Sequence, residues 1–388
     1  MSLTMVNVVP SLGFGGTERQ GVSIAKQMEF YCDSRVMPLS SIQPGEIEYW
    51  SLGDDKVVRT IAELEQLAQD SDRLVVIFHN LIRNIDAGII KFLNDLDCEL
   101  YEQSVFSRYD HRLKCEGSFQ LSFNAGVKFN STAPTGHRSF LLPNIVFSEG
   151  LAHAEEVIPT RLRFARVGQP SNAKWSRKYV PIIKRTLTSL DCEWALVGCP
   201  DSLRREILES VPEMAEARLT FIEKITDRDE MFEFLKSVTD FVHISNIGES
   251  FGYVLFEAGL AGCRVHTLDT PWTDNSQSEY VQQFGYGYVY LSARQMLRSL
   301  LNLEPFSQRG VVDAELLSCL SAESFGAKLV TILEGNDAPG DEFNVSQLQQ
   351  ARGEVLQDWY WGLRRLHYRS GDLIDRFFGY AWRQVWWT

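Results

Sequence analysis

The sequence predicts an α/β protein of two domains, each with a parallel sheet that carries helices on both faces. Short apolar runs alternate with helix-like patterns through the first half of the chain, and the alternation begins again at residue 162. A glycine-rich turn at residues 10–16 joins the first apolar run to the first helical pattern. At 388 residues the chain is also longer than one ordinary core organises, because domains average roughly 150 residues.

Each predicted element follows from its local pattern. In the first half we expect strands at residues 5–9, 74–78 and 99–106, and helices at 17–28, 57–69 and 87–96. In the second half we expect strands at residues 162–167, 194–197, 219–222 and 241–244. This order of strands and helices predicts parallel sheets covered by helices.

Composition places the domain boundaries. The chain becomes irregular and acidic after residue 146, and residues 335–344 hold turn formers and few apolar side chains. We therefore predict an N-terminal domain at residues 1–155, a second domain at 156–335 and a helical tail at 346–388.

The tail combines helical periodicity with tryptophan and arginine. Its tryptophans are Trp359, Trp361, Trp382, Trp386 and Trp387. Two interpretations stay open. Such a helix suits the headgroup layer at a membrane surface, but a helix that packs back across both domains is the preferred interpretation.

Charge and cysteine content exclude several classes of protein. A net charge of −13 argues against nucleic-acid binding, which needs clustered Lys and Arg. Seven scattered cysteines without a C-x-x-C pair fit reduced thiols. The N-terminus lacks a signal-peptide pattern, and no run of about 18 apolar residues occurs. We expect a cytoplasmic protein that does not span a membrane.

The glycine-rich turn carries the first candidate site. Gly13, Gly15 and Gly16 lie between a strand and a helix, where backbone can approach a ligand and the helix N-terminus offers free N–H groups to an anion. Gly15 and Gly16 are therefore candidate contacts for a diphosphate. A tight turn without any ligand remains the alternative.

The second candidate site is the segment from Ser245 to Gly259. A strand end, a turn and a helix starting near Phe251 place Glu249 in the loop and Glu257 on the inner face of the helix. Two carboxylates can then contact different parts of one long ligand. The backbone N–H groups that would face its phosphates belong to Ser250, Phe251, Gly252 and Tyr253.

This segment resembles the retaining family 4 glycosyltransferases, whose Glu-x7-Glu motif matches Glu249 and Glu257, with Phe251, Gly252 and Gly262 in the match. The resemblance covers residues 4–335. It implies the GT-B fold, in which two Rossmann-like domains face each other and bind a UDP- or GDP-linked sugar and its acceptor. It also implies that Glu249 contacts the donor sugar and Glu257 the nucleotide ribose.

The same resemblance points to cations upstream. Arg166 and Lys174 lie where the family places an Arg and a Lys that neutralise the donor phosphates, but Gln169 stands where the arginine is usual. A departing diphosphate develops negative charge, so a cation is still required. Lys174 is expected to supply it, with Arg166 as a substitute.

Further candidates complete the two halves of the site. Asn275 and Glu279 resemble a segment that closes the donor pocket, although an Asn before a Glu also fits a capped helix start. His79 ends a buried strand, where ligands of open α/β sheets gather, and it resembles the family histidine that reaches the transferred sugar. Glu102 and Arg108 resemble residues that line the acceptor cleft.

No metal or other cofactor is expected. The triplets at residues 95–97 and 227–229 spell Asp-x-Asp, but an acidic chain produces such triplets by chance. Lys174, the glycine turn and a helix N-terminus can hold a diphosphate without a divalent ion.

The function we expect is retaining transfer of a sugar to a hydroxyl of a glycan or glycolipid, with Glu249 and His79 as catalytic residues. Two alternatives stay open. One is an epimerase or hydrolase of nucleotide sugars on the same scaffold, and the other is a catalytically silent sugar-binding or assembly subunit, which the Gln169 departure makes conceivable.

Overall fold

The computed structural model describes residues 3–80, 85–130, 132–134, 136–147, 161–269 and 274–335. The chain divides into two compact units, one formed by Met1–Ile145 with Ala322–Thr388 and the other by Val146–Ser321. The predicted tail at residues 346–388 lies outside the described residues. Among the described helices, none is long and apolar enough to cross a membrane.

The first unit contains one parallel sheet of six strands in the order β2-β1-β3-β4-β5-β6. Its elements are, in chain order, β1 (Leu3–Val9), α1 (Gly16–Met28), β2 (Asp33–Pro38), α2 (Glu46–Tyr49), a 3-10 helix (Asp54–Lys56), α3 (Ile61–Asp70), β3 (Arg73–Asn80), α4 (Ala87–Asp95), β4 (Glu99–Ser104), β5 (Gly117–Gln120), α5 (Phe123–Asn130) and β6 (Ser139–Leu141). The apolar side chains of β1 and β3 are buried, as expected for central strands covered on both faces.

The second unit contains another parallel sheet of six strands, in the order β14-β12-β10-β7-β8-β9, and a separate pair, β11 with β13. Its elements are, in chain order, β7 (Leu162–Val167), α6 (Tyr179–Ser189), β8 (Cys192–Val197), α7 (Asp201–Ser210), α8 (Glu213–Glu216), β9 (Leu219–Ile222), α9 (Arg228–Lys236), β10 (Asp240–His243), β11 (Gly248–Glu249), α10 (Tyr253–Leu260), β12 (Arg264–Leu268), β13 (Asp274–Asn275), α11 (Ser276–Gln283), β14 (Tyr288–Tyr290), α12 (Ala293–Leu300) and α13 (Ala314–Cys319). The predicted α/β architecture with two parallel sheets is confirmed.

The last described helix, α14 (Ala322–Leu333), belongs to the first unit. Arg73 at the start of β3 donates a hydrogen bond from Nη2 to the carbonyl oxygen of Leu333 at 2.6 Å. Gly326 lies so close to Tyr31 and Gln27 that an added Cβ would clash with the tyrosine ring. The structural boundary therefore differs from the expected end of the second domain at 335, because the helix packs on residues far away in the sequence.

Buried polar contacts fix the strand that leads into the candidate site. The hydroxyl of Tyr179 donates to the carbonyl oxygen of Val242 at 2.9 Å and accepts from the backbone N–H of Ile244 at 2.7 Å. The side chain of Tyr179 is fully buried, so these bonds satisfy a hydroxyl that would otherwise be costly to bury. They hold the end of β10 at a defined place in the sheet.

Candidate functional site

Glu249 lies in the short strand β11, between the end of β10 and the start of α10. Gly248 pairs with Asp274 and Glu249 with Asn275, which forms the small parallel pair with β13. Glu249 thus precedes the helix and Glu257 lies on it, as the spacing predicted.

Three groups hold Glu249. Its Oε2 lies 2.7 Å from Nζ of Lys174, and its Oε1 lies 3.1 Å from Nε2 of His243. Its backbone N–H donates to Oε1 of Gln277 at 3.0 Å. Burial by itself raises the pKa of the Glu249 carboxyl, but the charge of Lys174 and the hydrogen bond from His243 outweigh it and hold this pKa well below the ordinary range. The carboxylate is therefore ionised and fixed in position at neutral pH.

His243 is a site residue that the sequence reasoning missed. It is the last residue of β10, and its side chain is only 1% exposed. Burial, followed by the positive charge of Arg166, lowers its pKa to about 4, although Glu249 acts in the opposite direction. A histidine at the carboxyl end of a buried strand is the signal that singled out His79, and the same signal marks His243.

Lys174 and Arg166 have different environments. The side chain of Lys174 is 29% exposed, so part of it is accessible to a ligand. Arg166 is buried on β7, where its guanidinium donates to the carbonyl oxygens of Val167 and of Lys174 and lies 5.4 Å from the ring centre of Trp175. The geometry places Arg166 beneath the loop that presents Lys174, and we infer that it supports that loop.

Asn275 and its neighbours form a buried network of amides. The side chain of Asn275 donates to Asp269 and accepts from Nε2 of Gln277 at 3.1 Å. It makes no side-chain hydrogen bond that caps α11, although it stands at the N-cap position. Because Gln277 also accepts from the backbone N–H of Glu249, the segment that starts α11 holds the backbone of Glu249 in place. Glu279 lies in the first turn of that helix.

The side chain of Phe251 has a packing role. It is buried, stacks on Phe256 at 4.7 Å between ring centres and meets Tyr280 edge-on at 5.2 Å. Because its ring packs in this aromatic cluster, Phe251 can contact a ligand only through its backbone. Ser250, Tyr253 and Glu257 are only partly buried.

Gly252 has a backbone conformation that favours glycine. Its φ is +86°, and it stands at the N-cap of α10. An added Cβ would lie 2.8 Å from Cδ1 of Leu255 and 3.4 Å from Cβ of Glu249. These two facts make a glycine necessary between the carboxylate and the helix.

We expect Gly252→Ala to lower the free energy of unfolding by about 1–3 kcal/mol, because it combines left-handed backbone strain with a steric clash. Gly285→Ala is the matched control, since Gly285 has φ +79° and nothing within 4 Å of its added Cβ. Urea unfolding of both variants measures the difference. Equal losses would show that the contacts with Leu255 and Glu249 contribute nothing.

The first-unit candidates lie at or near the carboxyl ends of β3 and β4. His79 is buried, and its Nε2 lies 3.3 Å from Oδ1 of Asn7. Burial lowers the pKa of His79 to about 3, so the imidazole is neutral. Glu102 is fully buried in β4 and accepts from the hydroxyl of Ser118 at 3.5 Å. Arg108 donates its backbone N–H to Ser104 at 3.1 Å.

The glycine turn carries a carboxylate of its own. Gly15 is the N-cap of α1 and Gly16 its first residue. The Glu18 carboxylate accepts from the hydroxyl of Ser11 at 3.0 Å and lies against Gly15, where an added Cβ would collide with it. A negative charge in the first turn is stabilised by the helix dipole. A side chain at position 15 would therefore displace the Glu18 carboxylate from this place.

The Asp-x-Asp triplets have ordinary structural positions. Asp227 caps α9 by accepting from the backbone N–H of Glu230 at 2.8 Å, and Asp95 is the last residue of α4. Across the part of the chain that the structure describes, no group of three acidic, histidine or cysteine side chains is placed to hold a metal ion.

No family model matches the chain, and no curated protein matches it in sequence. Solved structures do match it. HepE of Anabaena, in complex with UDP and glucose, has a TM-score of 0.62 at 12% identity and covers 85% of this chain and 99% of its own. The fold is that of the GT-B glycosyltransferases.

Two further GT-B structures agree. The pneumococcal O-GlcNAc transferase GtfA, in complex with UDP and GlcNAc, has a TM-score of 0.64 at 10% identity, covering 86% of this chain and 99% of its own. The lipopolysaccharide outer core galactosyltransferase WaaB has a TM-score of 0.62 at 12% identity, with the same two coverages. At these identities the likeness establishes the GT-B fold alone.

Proposed function

We propose that the chain is a retaining glycosyltransferase that moves a hexose from a UDP- or GDP-sugar to a hydroxyl of a glycan or glycolipid. The observation that carries this proposal is the Glu249 carboxylate, ionised and held between Lys174 and His243 just before the N-terminus of α10. HepE and GtfA, which share the fold, were crystallised with UDP and a sugar.

In the proposed reaction the bond between the anomeric carbon and the diphosphate breaks while a bond to the acceptor oxygen forms on the same face of the sugar. The departing diphosphate gains negative charge and takes up the proton of the acceptor hydroxyl. Lys174 and the backbone N–H groups at the start of α10 stabilise that charge. In this scheme the donor phosphates need no metal ion.

The remaining roles follow from the resemblance. Glu249 contacts the donor sugar and Glu257 the ribose. The resemblance assigns His79 to the transferred sugar and Arg108 to the acceptor site, while the fully buried Glu102 would act on that site only through its neighbours. His79 then acts as a neutral hydrogen-bonding group, since its imidazole carries no charge at neutral pH.

Binding of UDP and GDP tests the proposal directly. We expect calorimetry to detect one of the two, and Lys174→Ala to weaken it by roughly ten- to a hundredfold, the effect of losing a hydrogen bond from a charged group. Lys184→Ala, on the exposed face of α6, is the control with the same loss of charge. Equal affinities of both variants would contradict the role of Lys174.

Nucleotide binding and a separate assay of donor turnover together distinguish the alternatives. A folded wild-type chain that binds neither nucleotide would favour a silent assembly subunit. Donor turnover that is unchanged by any glycan acceptor would favour a hydrolase or an epimerase.

We also propose a cytoplasmic location, peripheral at the inner face of a membrane. All seven cysteines lie within the described residues and are free thiols, which fits a reducing compartment. The tryptophan- and arginine-rich tail is the proposed membrane contact. Liposome flotation with and without residues 346–388 tests it.

A further inference from the structure

The buried histidine beside Glu249 has two partners, one at each ring nitrogen. His243 pairs in register with Thr267 of the neighbouring strand β12, so the two side chains lie on the same face of the sheet. Nδ1 of His243 lies 3.5 Å from the Thr267 hydroxyl, and Nε2 lies 3.1 Å from Oε1 of Glu249. Thr267 is fully buried.

These partners define the tautomer. An ionised carboxylate only accepts hydrogen bonds, so Nε2 must carry the proton and donate it to Glu249. Nδ1 is then the acceptor, and the Thr267 hydroxyl is the group placed to donate to it. The contact with Glu249 is a hydrogen bond from a neutral imidazole to a charged group, which is stronger than a bond between neutral groups.

Lys174, in contrast, has two anionic partners in the proposed scheme, the Glu249 carboxylate and the donor phosphates. It contacts Oε2 of Glu249, and its partly exposed side chain also carries the cation proposed for the donor phosphates. A diphosphate carries more negative charge than a carboxylate and would draw the amino group toward itself. The His243 side chain is buried in the sheet and cannot move toward the phosphates. Its hydrogen bond to Oε1 of Glu249 would therefore remain.

We propose that His243 is a positioning residue that holds the Glu249 carboxylate through its Nε2–H, independently of Lys174, and that Thr267 fixes the tautomer this requires. The inference rests on the proposed function, because the benefit of a fixed Glu249 is in glycosyl transfer. His243 acts through Glu249 and touches no phosphate in this scheme.

Three charged groups face His243. Glu249 on β11 favours its protonation, whereas Arg166 on β7 and Lys174 on the loop after β7 oppose it. Burial and the two cations outweigh Glu249 and keep the imidazole neutral above about pH 5, since its pKa lies at about 4. The histidine therefore works as a hydrogen-bond donor across the neutral range, and no change in activity between pH 6 and 8 arises from it.

Two amide variants that differ only in reach test the proposal. The amide nitrogen of His243→Gln extends to the position of Nε2, whereas that of His243→Asn extends only to the position of Nδ1. With UDP-glucose, UDP-GlcNAc and GDP-mannose as donors, we expect His243→Asn to lower kcat for nucleoside diphosphate release by roughly ten- to a hundredfold, the effect of losing a hydrogen bond to a charged group. His243→Gln should retain most of kcat.

Affinity for UDP and GDP should stay within about twofold of wild type in both variants, because His243 does not contact the phosphates. Thr267→Val should lower kcat less than His243→Asn does. Equal kcat values for His243→Asn and His243→Gln, or a loss that appears only as weaker nucleotide binding, would overturn the proposal.

A spectroscopic measurement tests the tautomer of His243 without a turnover assay. In ¹⁵N-labelled protein we expect the His243 imidazole to stay in the neutral Nε2–H form from pH 6 to 8, with or without UDP, and its signals to shift in Glu249→Gln. An Nδ1–H or doubly protonated ring would overturn the proposal. A wild-type chain that binds neither nucleotide would instead remove the proposed function, while the tautomer and the Glu249 contact would still be measured.

Discussion

Replacing Glu249 with glutamine should lower the turnover of a nucleotide sugar by about a thousandfold, a loss at the upper end for removing one preorganised electrostatic contact. The sugar becomes positively charged as the diphosphate leaves, and an ionised carboxylate in a buried site stabilises that charge where a neutral amide does not. The carboxylate is ionised at neutral pH because Lys174 and His243 hold its pKa down. Release of UDP or GDP from the donor measures the loss.

The chain should remain folded in this variant. Glutamine has the shape of glutamate and can still accept a hydrogen bond from His243 or Lys174. Glu213→Gln, on the exposed helix α8, is the matched control and should leave turnover unchanged. Turnover near the wild-type value in a well-folded Glu249→Gln would remove this carboxylate from the reaction, and with it the main support for glycosyl transfer.

A strand could be predicted from sequence where its burial on both faces makes its local sequence continuously apolar. Residues 74–78 are continuously apolar because β3 is covered on both faces. Strand β5 (Gly117–Gln120) was missed because it buries the polar side chains of Ser118 and Gln120, and strands β2, β6 and β14 were missed as well. Tertiary packing overrides a local preference in such a strand.

The position of α14 (Ala322–Leu333) could not be predicted for a different reason. Its helical pattern is local, but its partners Arg73 and Tyr31 lie more than 240 residues earlier in the chain. Nothing in residues 322–333 says which unit they join. The boundary of a domain depends on such long-range contacts, whereas the type of an element does not.

The residues of the candidate site also divide into those that local sequence predicts and those that depend on long-range contacts. Glu249 and Glu257 could be placed from their spacing, since a loop residue and a helix residue are separated by a local rule. His243 and Gln277 contact Glu249, and Thr267 contacts His243, from a neighbouring strand or a helix start. Their roles therefore depend on sheet register and on the small β11–β13 pair. Arg166 was expected near the phosphates, and only the structure reveals that its guanidinium is buried on backbone carbonyls.

Lowering the pH from 7 to 5 should reduce the free energy of unfolding of the second unit by about 2 kcal/mol through His243, and that of the first unit by a similar amount through His79. In the first unit the partly buried His137, whose pKa is also lowered by burial, adds to the loss. His79 in the first unit has a pKa of about 3 and His243 in the second a pKa of about 4, both below the ordinary value of 6.5. Between those values the unfolded chain binds more protons than the folded chain. Stability is therefore lost as the pH falls below 6.5, and it is regained as the pH rises.

Carboxylates contribute little in this window. The pKa of Glu249 is also lowered, but its stabilising effect is lost only as the pH falls below the ordinary value of 4.5. The interval from pH 7 to 5 consequently isolates the histidines.

Hydrogen exchange resolved by segment measures each unit separately, because a chain of two units need not unfold in one step. His79→Gln should remove most of the pH dependence of the first unit alone, with the remainder due to His137, and His243→Gln should remove that of the second alone. His111→Gln, at an exposed position, should change neither. A loss of stability in acid that persists unchanged in both variants would mean that neither imidazole is held neutral in the fold. Glu249 would then lack the neutral donor that keeps it in place when Lys174 turns to the phosphates.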